Sequence, residues 1–281
     1  MGIIMHYRTG LERGKDMRTM LFTLAACAIV SALPAAGEAA EVPACSPPVE
    51  VSRAPIVRVE INGVLVLRDG RAADLESVLL PAGARDHAPA FVAQQAIERL
   101  SKLTKGKDVT LRARMPKEDR YGRIRSQVFL HQDGRDIWLQ ETMLHEGLAR
   151  VMIAPDRPEC ARELYAAESE ARATRAGIWA LPAYAVRSPD NLGGDLGTFQ
   201  IVDGVVTNAS IHDGRAYLNF GDDWRTDFTA TIAPDDMKRF REAGIDPKAY
   251  AGKKVEVRGY IQSLNGPEIE LAAPDMIEVL P

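Results

Sequence analysis

Short apolar runs separated by turn residues dominate the first half of the chain. Residues 57–67 read as two strands around Asn62-Gly63, a hairpin signal. Asp69-Gly70 marks a second turn, and residues 74–80 return as a strand ended by Pro81. Residues 91–103 carry Ala93, Ala96, Ile97 and Leu100 at helical spacing, and Gly106 closes the segment. Strand-like runs at 109–114 and 124–131 flank a turn at 119–123, and Asp133-Gly134 makes another turn. A short helix over 139–146 is capped by Gly147. An Ala-rich helix over 159–175 is closed by Gly177. Strands interleaved with three helices are what a five-stranded barrel would give, although spacing and turns alone do not choose the topology.

Pro182, Pro189 and Gly193-Gly194 then mark a linker, 181–196. Beyond it, strands are expected at 199–206, 215–220, 226–232, 254–261 and 268–271, with a helix at 234–243. Asp203-Gly204 and Gly259 fall inside strands and read as a turn, bulge or bend. Three strands, a helix and two strands is the order of an oligonucleotide/oligosaccharide-binding (OB) barrel. The expected class is therefore mainly β with α (α+β), with one barrel in 55–180 and a second, smaller OB-like barrel in 197–281. The second carries no sharp motif. A domain that only packs against the first is the competing expectation.

The N-terminus has a targeting pattern. Arg13, Lys15 and Arg18 precede an apolar run from Met20 to Ala36, and Gly37-Glu38-Ala39-Ala40 supplies small residues for cleavage. Pro34 interrupts the run, which is marginal for spanning a membrane. Residues 1–40 are expected to be a signal peptide, with Met17 as an alternative start and Cys27 lost on cleavage. Residues 41–54 form an extended, Pro-rich lead-in, too rich in proline to be expected to pair as a strand.

Composition adds limits. A net charge of −4 gives no global drive toward nucleic acid or anionic membrane. Lys+Arg stand 20 to 18 against Asp+Glu in residues 55–180, but 9 to 14 in 197–281. A phosphate-binding surface belongs, if anywhere, on the first barrel. Cys45 and Cys160 remain after cleavage, and two cysteines in an exported chain suggest a disulfide. Two unrelated thiols, or pairing between molecules, are the alternatives. The five histidines form no cluster and no Cys-x-x-Cys exists, so a structural zinc site is not expected.

The run Asp119-Arg120-Tyr121-Gly122-Arg123 lies between two strands. It is followed by Trp138-Leu139-Gln140-Glu141, then Gly147-Leu148-Ala149-Arg150-Val151, and finally Gly177-Ile178-Trp179-Ala180. In that order and spacing the chain resembles the staphylococcal nuclease (thermonuclease) family over roughly 56–180. The resemblance implies an OB barrel with three helices. It also implies Ca²⁺ held by carboxylates, a Glu as general base and two Arg on the phosphate. Each has a reason: a hard cation takes oxygen ligands, acts as a Lewis acid on the phosphate, and the Arg fork matches phosphate oxygens.

Carried over residue by residue, most of that set is replaced. The first metal Asp falls on Gly63. With Pro81 on the family's proline, the first phosphate Arg falls on Asp74, the second metal Asp on Leu79 and the base Glu on Ala82. Arg123 matches the second phosphate Arg and Tyr121 a neighbouring ligand-facing residue. In such a barrel the lead-in can run close to the last helix, which would bring Cys45 to Cys160. Arg85, Asp86 and His87 form a polar loop, and Arg85 joins Tyr121 and Arg123 as a ligand-binding candidate. The family's stacking aromatics appear as Ile153 and Pro155. His145-Glu146 has no nucleophile beside it and reads as helix surface.

The expectation is a periplasmic or secreted protein, monomeric, with a degenerate site, binding nucleic acid or an envelope protein, and needing no cofactor. The alternative is a divergent metal-dependent nuclease acting on DNA or RNA, using Ca²⁺ with a set such as Asp69, Asp74, Asp86 and Arg123.

Overall fold

The first barrel closes because five strands turn apolar side chains inward and the outer two of the five pair with each other. The computed structural model describes Cys45 and residues 49–281; the expected signal peptide, 1–40, lies outside the described residues. The first part comprises β1 (Val49–Val59), β2 (Leu65–Leu67), β3 (Ala72–Leu75), β4 (Val78–Leu79), α1 (Phe91–Thr104), β5 (Asp108–Ala113) and β6 (Ile124–Gln132). It continues through β7 (Arg135–Trp138), α2 (Leu139–His145), β8 (Arg150–Val151) and α3 (Ala161–Thr174). β1 pairs antiparallel with β2 and β5, β2 with β3, and β5 with β6. β3 runs parallel to β6, which closes five strands into a barrel. Leu65, Leu67, Leu111, Val128, Met143 and Leu164 fill it and the contact with the helices.

The second part comprises β9 (Phe199–Val205), β10 (Asn208–His212), β11 (Arg215–Asn219), β12 (Thr229–Ile232), α4 (Met237–Glu242), β13 (Lys254–Tyr260), β14 (Gln262–Ser263), β15 (Pro267–Glu270) and β16 (Ile277–Val279). β9 pairs with β13, and its continuation β10 pairs with β11. β11 pairs with β12, β12 runs parallel to β15, and β15 pairs with β14. Taking β9–β10 as one bent strand and β13–β14 as another, the connections repeat those of the first barrel. The third strand is parallel to the fifth, and a helix lies between the third and fourth. Val202, Leu218, Phe228, Phe240, Val257 and Ile269 form this second core.

The structure departs from expectation in informative places. The lead-in does pair as a strand from Val49, despite its prolines. Pro55 sits at the last pairing, opposite Asp108, and the next N–H, of Ile56, bonds Lys107 O at 3.1 Å, so the missing donor costs no ladder bond. The strand expected over 74–80 breaks at Ser77, which takes φ 67°. Gly204 and Gly259 are neither turn nor bulge: the β9–β13 register runs through both without a shift. A Cβ on Gly204 would strike Phe220 at 2.7 Å, and one on Gly259 would strike Ile269 at 2.6 Å. These glycines allow close packing across the barrel.

Cys45 and Cys160 form a disulfide with Cα atoms 5.2 Å apart. Segment 181–196 is pinned rather than merely connecting. Arg187 pairs with Asp195 at 2.9 Å and donates to the carbonyls of Pro182, Ala183 and Ala185.

Trp179 is buried, as its position at the end of the last helix suggests. Its neighbours form a third cluster, Val92, Ala171, Ile178, Tyr184 and Ile201, which draws on both barrels. Trp179→Ala is expected to cost about 3 kcal/mol, the low end for a buried Trp. Its Nε1 is buried without a partner, so truncation also removes an unsatisfied donor. A loss below about 1 kcal/mol in urea unfolding would show that the helix end is not docked here.

Candidate functional site

The turn between β5 and β6 is built by one aspartate. Asp119 Oδ1 accepts from the backbone N–H of Tyr121 (2.8 Å) and of Arg123 (3.0 Å), and Gly122 takes φ 75°. This holds Arg123 over the end of β3. Its Nε lies 3.1 Å from Asp74 Oδ2 and its Nη2 lies 2.6 Å from Asp119 Oδ2. The guanidinium is thus shared by two carboxylates. Tyr121 is 67% exposed, with Arg120 over its ring at 4.9 Å and Arg123 at 5.1 Å.

These side chains edge a groove of about 1160 Å³. Gly63, Leu79, Ala82 and Arg85 also line it, as do Phe199 and Tyr260 from the second barrel. Phe199 and Tyr260 meet edge to face at 5.5 Å. Gly63 has φ 88°, and the space a Cβ would need is taken by Leu80. Arg85 is exposed and carries no ion pair among the described residues. Of the sequence-derived candidates, Tyr121, Arg123 and Arg85 therefore do face one groove.

The carboxylates and His145 among the other candidates are engaged by partners. Asp86 is buried and accepts from Ala82 N–H (2.7 Å) and the Tyr184 hydroxyl (2.8 Å), with Arg150 at 3.1 Å. Asp69 pairs with Arg71 within its own exposed turn. Glu146 takes Arg99 at 2.5 Å, and His145 faces Glu170 at 3.3 Å. Of the set Asp69, Asp74, Asp86 and Arg123, the structure brings Asp74 and Arg123 into contact and places Asp86 on the same groove, while Asp69 lies apart from them. Ile153 is a core residue. Among the described residues no three His, Cys, Asp or Glu side chains are placed to hold a metal ion.

Sequence reasoning missed Asp119, Glu76, Phe199 and Tyr260. Asp119 stood in the quoted motif, but its partner Asp74 is brought by the β3–β6 pairing. Glu76 sits between Arg125 (2.9 Å) and Arg157 (3.4 Å), and burial raises its pKa despite both cations. Phe199 and Tyr260 come from another barrel, and no local signal announces them.

Burial lifts Asp74 above the ordinary aspartate range; Arg123 pulls it back only in part, and Asp119 pushes it further up. For Asp119 burial works the same way, but hydrogen bonds from Arg123 and Tyr121 outweigh it and hold the carboxyl low. By linkage, the stability Asp74 contributes is greatest when it is protonated and falls as pH rises through its folded midpoint. That of Asp119 is present above the usual range and is lost as pH falls through its lowered midpoint. Carboxyl NMR titration is expected to give Asp74 the higher midpoint; the reverse order would contradict the arrangement.

A closed five-stranded barrel with a third strand parallel to the fifth, helices against it and a groove at the β5–β6 turn defines an OB-type barrel. Residues 80–181 match the family model described as staphylococcal nuclease homologue, so this part of the chain is a staphylococcal-nuclease-like domain. The match begins at Leu80, after Gly63, Asp74 and Leu79. No curated protein matches the chain.

Proposed function

We propose that this is an exported member of the thermonuclease-like group whose first barrel has lost phosphodiester cleavage and serves as a binding or structural module of the cell envelope. The observation that carries the proposal is the double pairing of Arg123 with Asp74 and Asp119. A phosphate group would have to displace two carboxylates and meet their charge. The residues do not fit a resident Ca²⁺ either. Leu79 and Ala82 offer no side-chain oxygen, and Asp74 and Asp119 are engaged by a cation already. The disulfide supports an oxidising compartment. Among the described residues no helix is long and apolar enough to cross a membrane.

The competing reading, a divergent nuclease, draws on the same two carboxylates: freed from Arg123, they would be a start on a metal site. Calorimetric titration with Ca²⁺ near neutral pH separates the two. No saturable binding is expected. Binding that is lost in both Asp74→Asn and Asp119→Asn would favour the nuclease. Export is tested by N-terminal sequencing of protein recovered from the cell envelope, with a start close to residue 41 expected and a start at Met1 or Met17 contradicting it.

A further inference from the structure

We propose that the second barrel carries a binding groove for a linear, uncharged oligosaccharide. The groove has a volume of about 800 Å³ and lies across β10, β11 and β12. Two loops overhang it: the one holding Trp224, and the one holding Leu264 and Asn265. This is the face, formed by the second and third strands with the loop between the fourth and fifth, that OB barrels use for oligonucleotides and oligosaccharides. The volume is that of an ordinary ligand site.

The lining is amide, hydroxyl and aromatic. Asn208, Ser210, His212 and Asn265 face the groove, and none makes a side-chain hydrogen bond among the described residues. Four unspent polar groups on one concave surface suit a ligand rich in groups that both donate and accept, as sugar hydroxyls do. Trp224 is 52% exposed at the rim, with Arg225 over its ring at 4.7 Å, which orients the indole. Tyr217 and His212 lie within the groove with ring centroids 6.3 Å apart. Broad rings beside hydrogen-bonding side chains match the apolar faces and polar rims of pyranose units.

Charge decides between the two polymers this face could take. A nucleic acid needs cations for its phosphates. Here both nearby arginines have a carboxylate beside them: Asp223 lies 3.7 Å from Arg225, and Glu270 pairs with Arg215 at 2.9 Å. Inside the groove, Glu268 accepts from Thr231 at 2.5 Å and adds a carboxylate. A sugar chain without charge meets no such opposition. β10 itself fits this role. Its positions are exposed or half-buried throughout, so it is a strand with little core to cover. The proposal does not depend on whether the first barrel cleaves phosphodiesters.

The test is calorimetric titration of the purified full chain with two probes, the β-1,4-linked tetrasaccharides of glucose and of N-acetylglucosamine, and with a twelve-residue oligothymidylate. At least one tetrasaccharide is expected to bind saturably at roughly millimolar concentration or tighter. Trp224→Ala and Asn265→Ala should each weaken that binding by about tenfold or more, with unchanged circular dichroism as the check on folding. Absence of saturable binding to both tetrasaccharides would overturn the proposal. So would binding unaffected by both substitutions, or salt-sensitive binding of the oligothymidylate through Trp224 in place of sugar.

Discussion

Arg258→Ala is expected to destabilise the protein by about 3–5 kcal/mol, the range for breaking a buried ion pair from one side. Arg258 lies in β13 and is buried between two glutamates, Glu168 of α3 at 2.7 Å and Glu256 at 2.5 Å. Glu256 also takes Arg172 at 2.7 Å, so two cations and two anions balance across the contact between the barrels. Burial alone would push the Arg258 pKa down, but Glu168 and the groups around it hold it above the usual value. Removing the guanidinium leaves Glu168 buried with only the backbone N–H of Val151 to satisfy it, at 2.7 Å. It also uncovers the ring of Tyr165, over which Arg258 lies at 4.3 Å. Pairing Arg258→Met with Glu168→Leu should recover much of the loss, since a well-packed apolar pair can replace a buried ion pair. Urea unfolding of the single and double variants measures both effects. A single-variant loss under about 1 kcal/mol would mean water reaches the joint.

The second large effect is at the disulfide. Cys160→Ala is expected to cost about 2–5 kcal/mol. The bond closes a loop with a sequence separation of 115, long enough to place it toward the upper part of that range in the chain-entropy model. Both cysteines are buried against the first core. Reductant should bring the wild-type urea midpoint down toward that of the variant and leave the variant unchanged. A wild-type midpoint insensitive to reductant, with both thiols shown to be alkylated, would contradict the role assigned to the bond.

These two links show what the sequence could and could not reveal. The cysteines were readable because few residue types pair covalently and an export pattern supplied the compartment. The helices α1 and α3 were readable from three- and four-residue apolar spacing, and the barrel order from turn residues. The strand beginning at Val49 was hidden by the prolines of the sequence around it; Pro55, which lies within the strand, costs no ladder bond. β10 was hidden because only Ala209 and Ile211 of its five residues are apolar, a short alternation that gives a weak signal, while Asn208, Ser210 and His212 face a polar groove. Arg258 and Glu168 are 90 residues apart, and nothing local marks either as the other's partner. At the groove, the lack of side-chain oxygen at Gly63, Leu79 and Ala82 was legible directly. The capture of Arg123 by Asp74 was not, because it depends on a parallel pairing between β3 and β6.

The central claim is that Arg123 serves the fold's own carboxylates and no longer a phosphate. Incubation of the purified protein with single-stranded DNA and RNA, with Ca²⁺ or with chelator, addresses it most directly. The expected result is no cleavage above a buffer control in either condition. Chelator-sensitive cleavage that disappears in Arg123→Ala would contradict it.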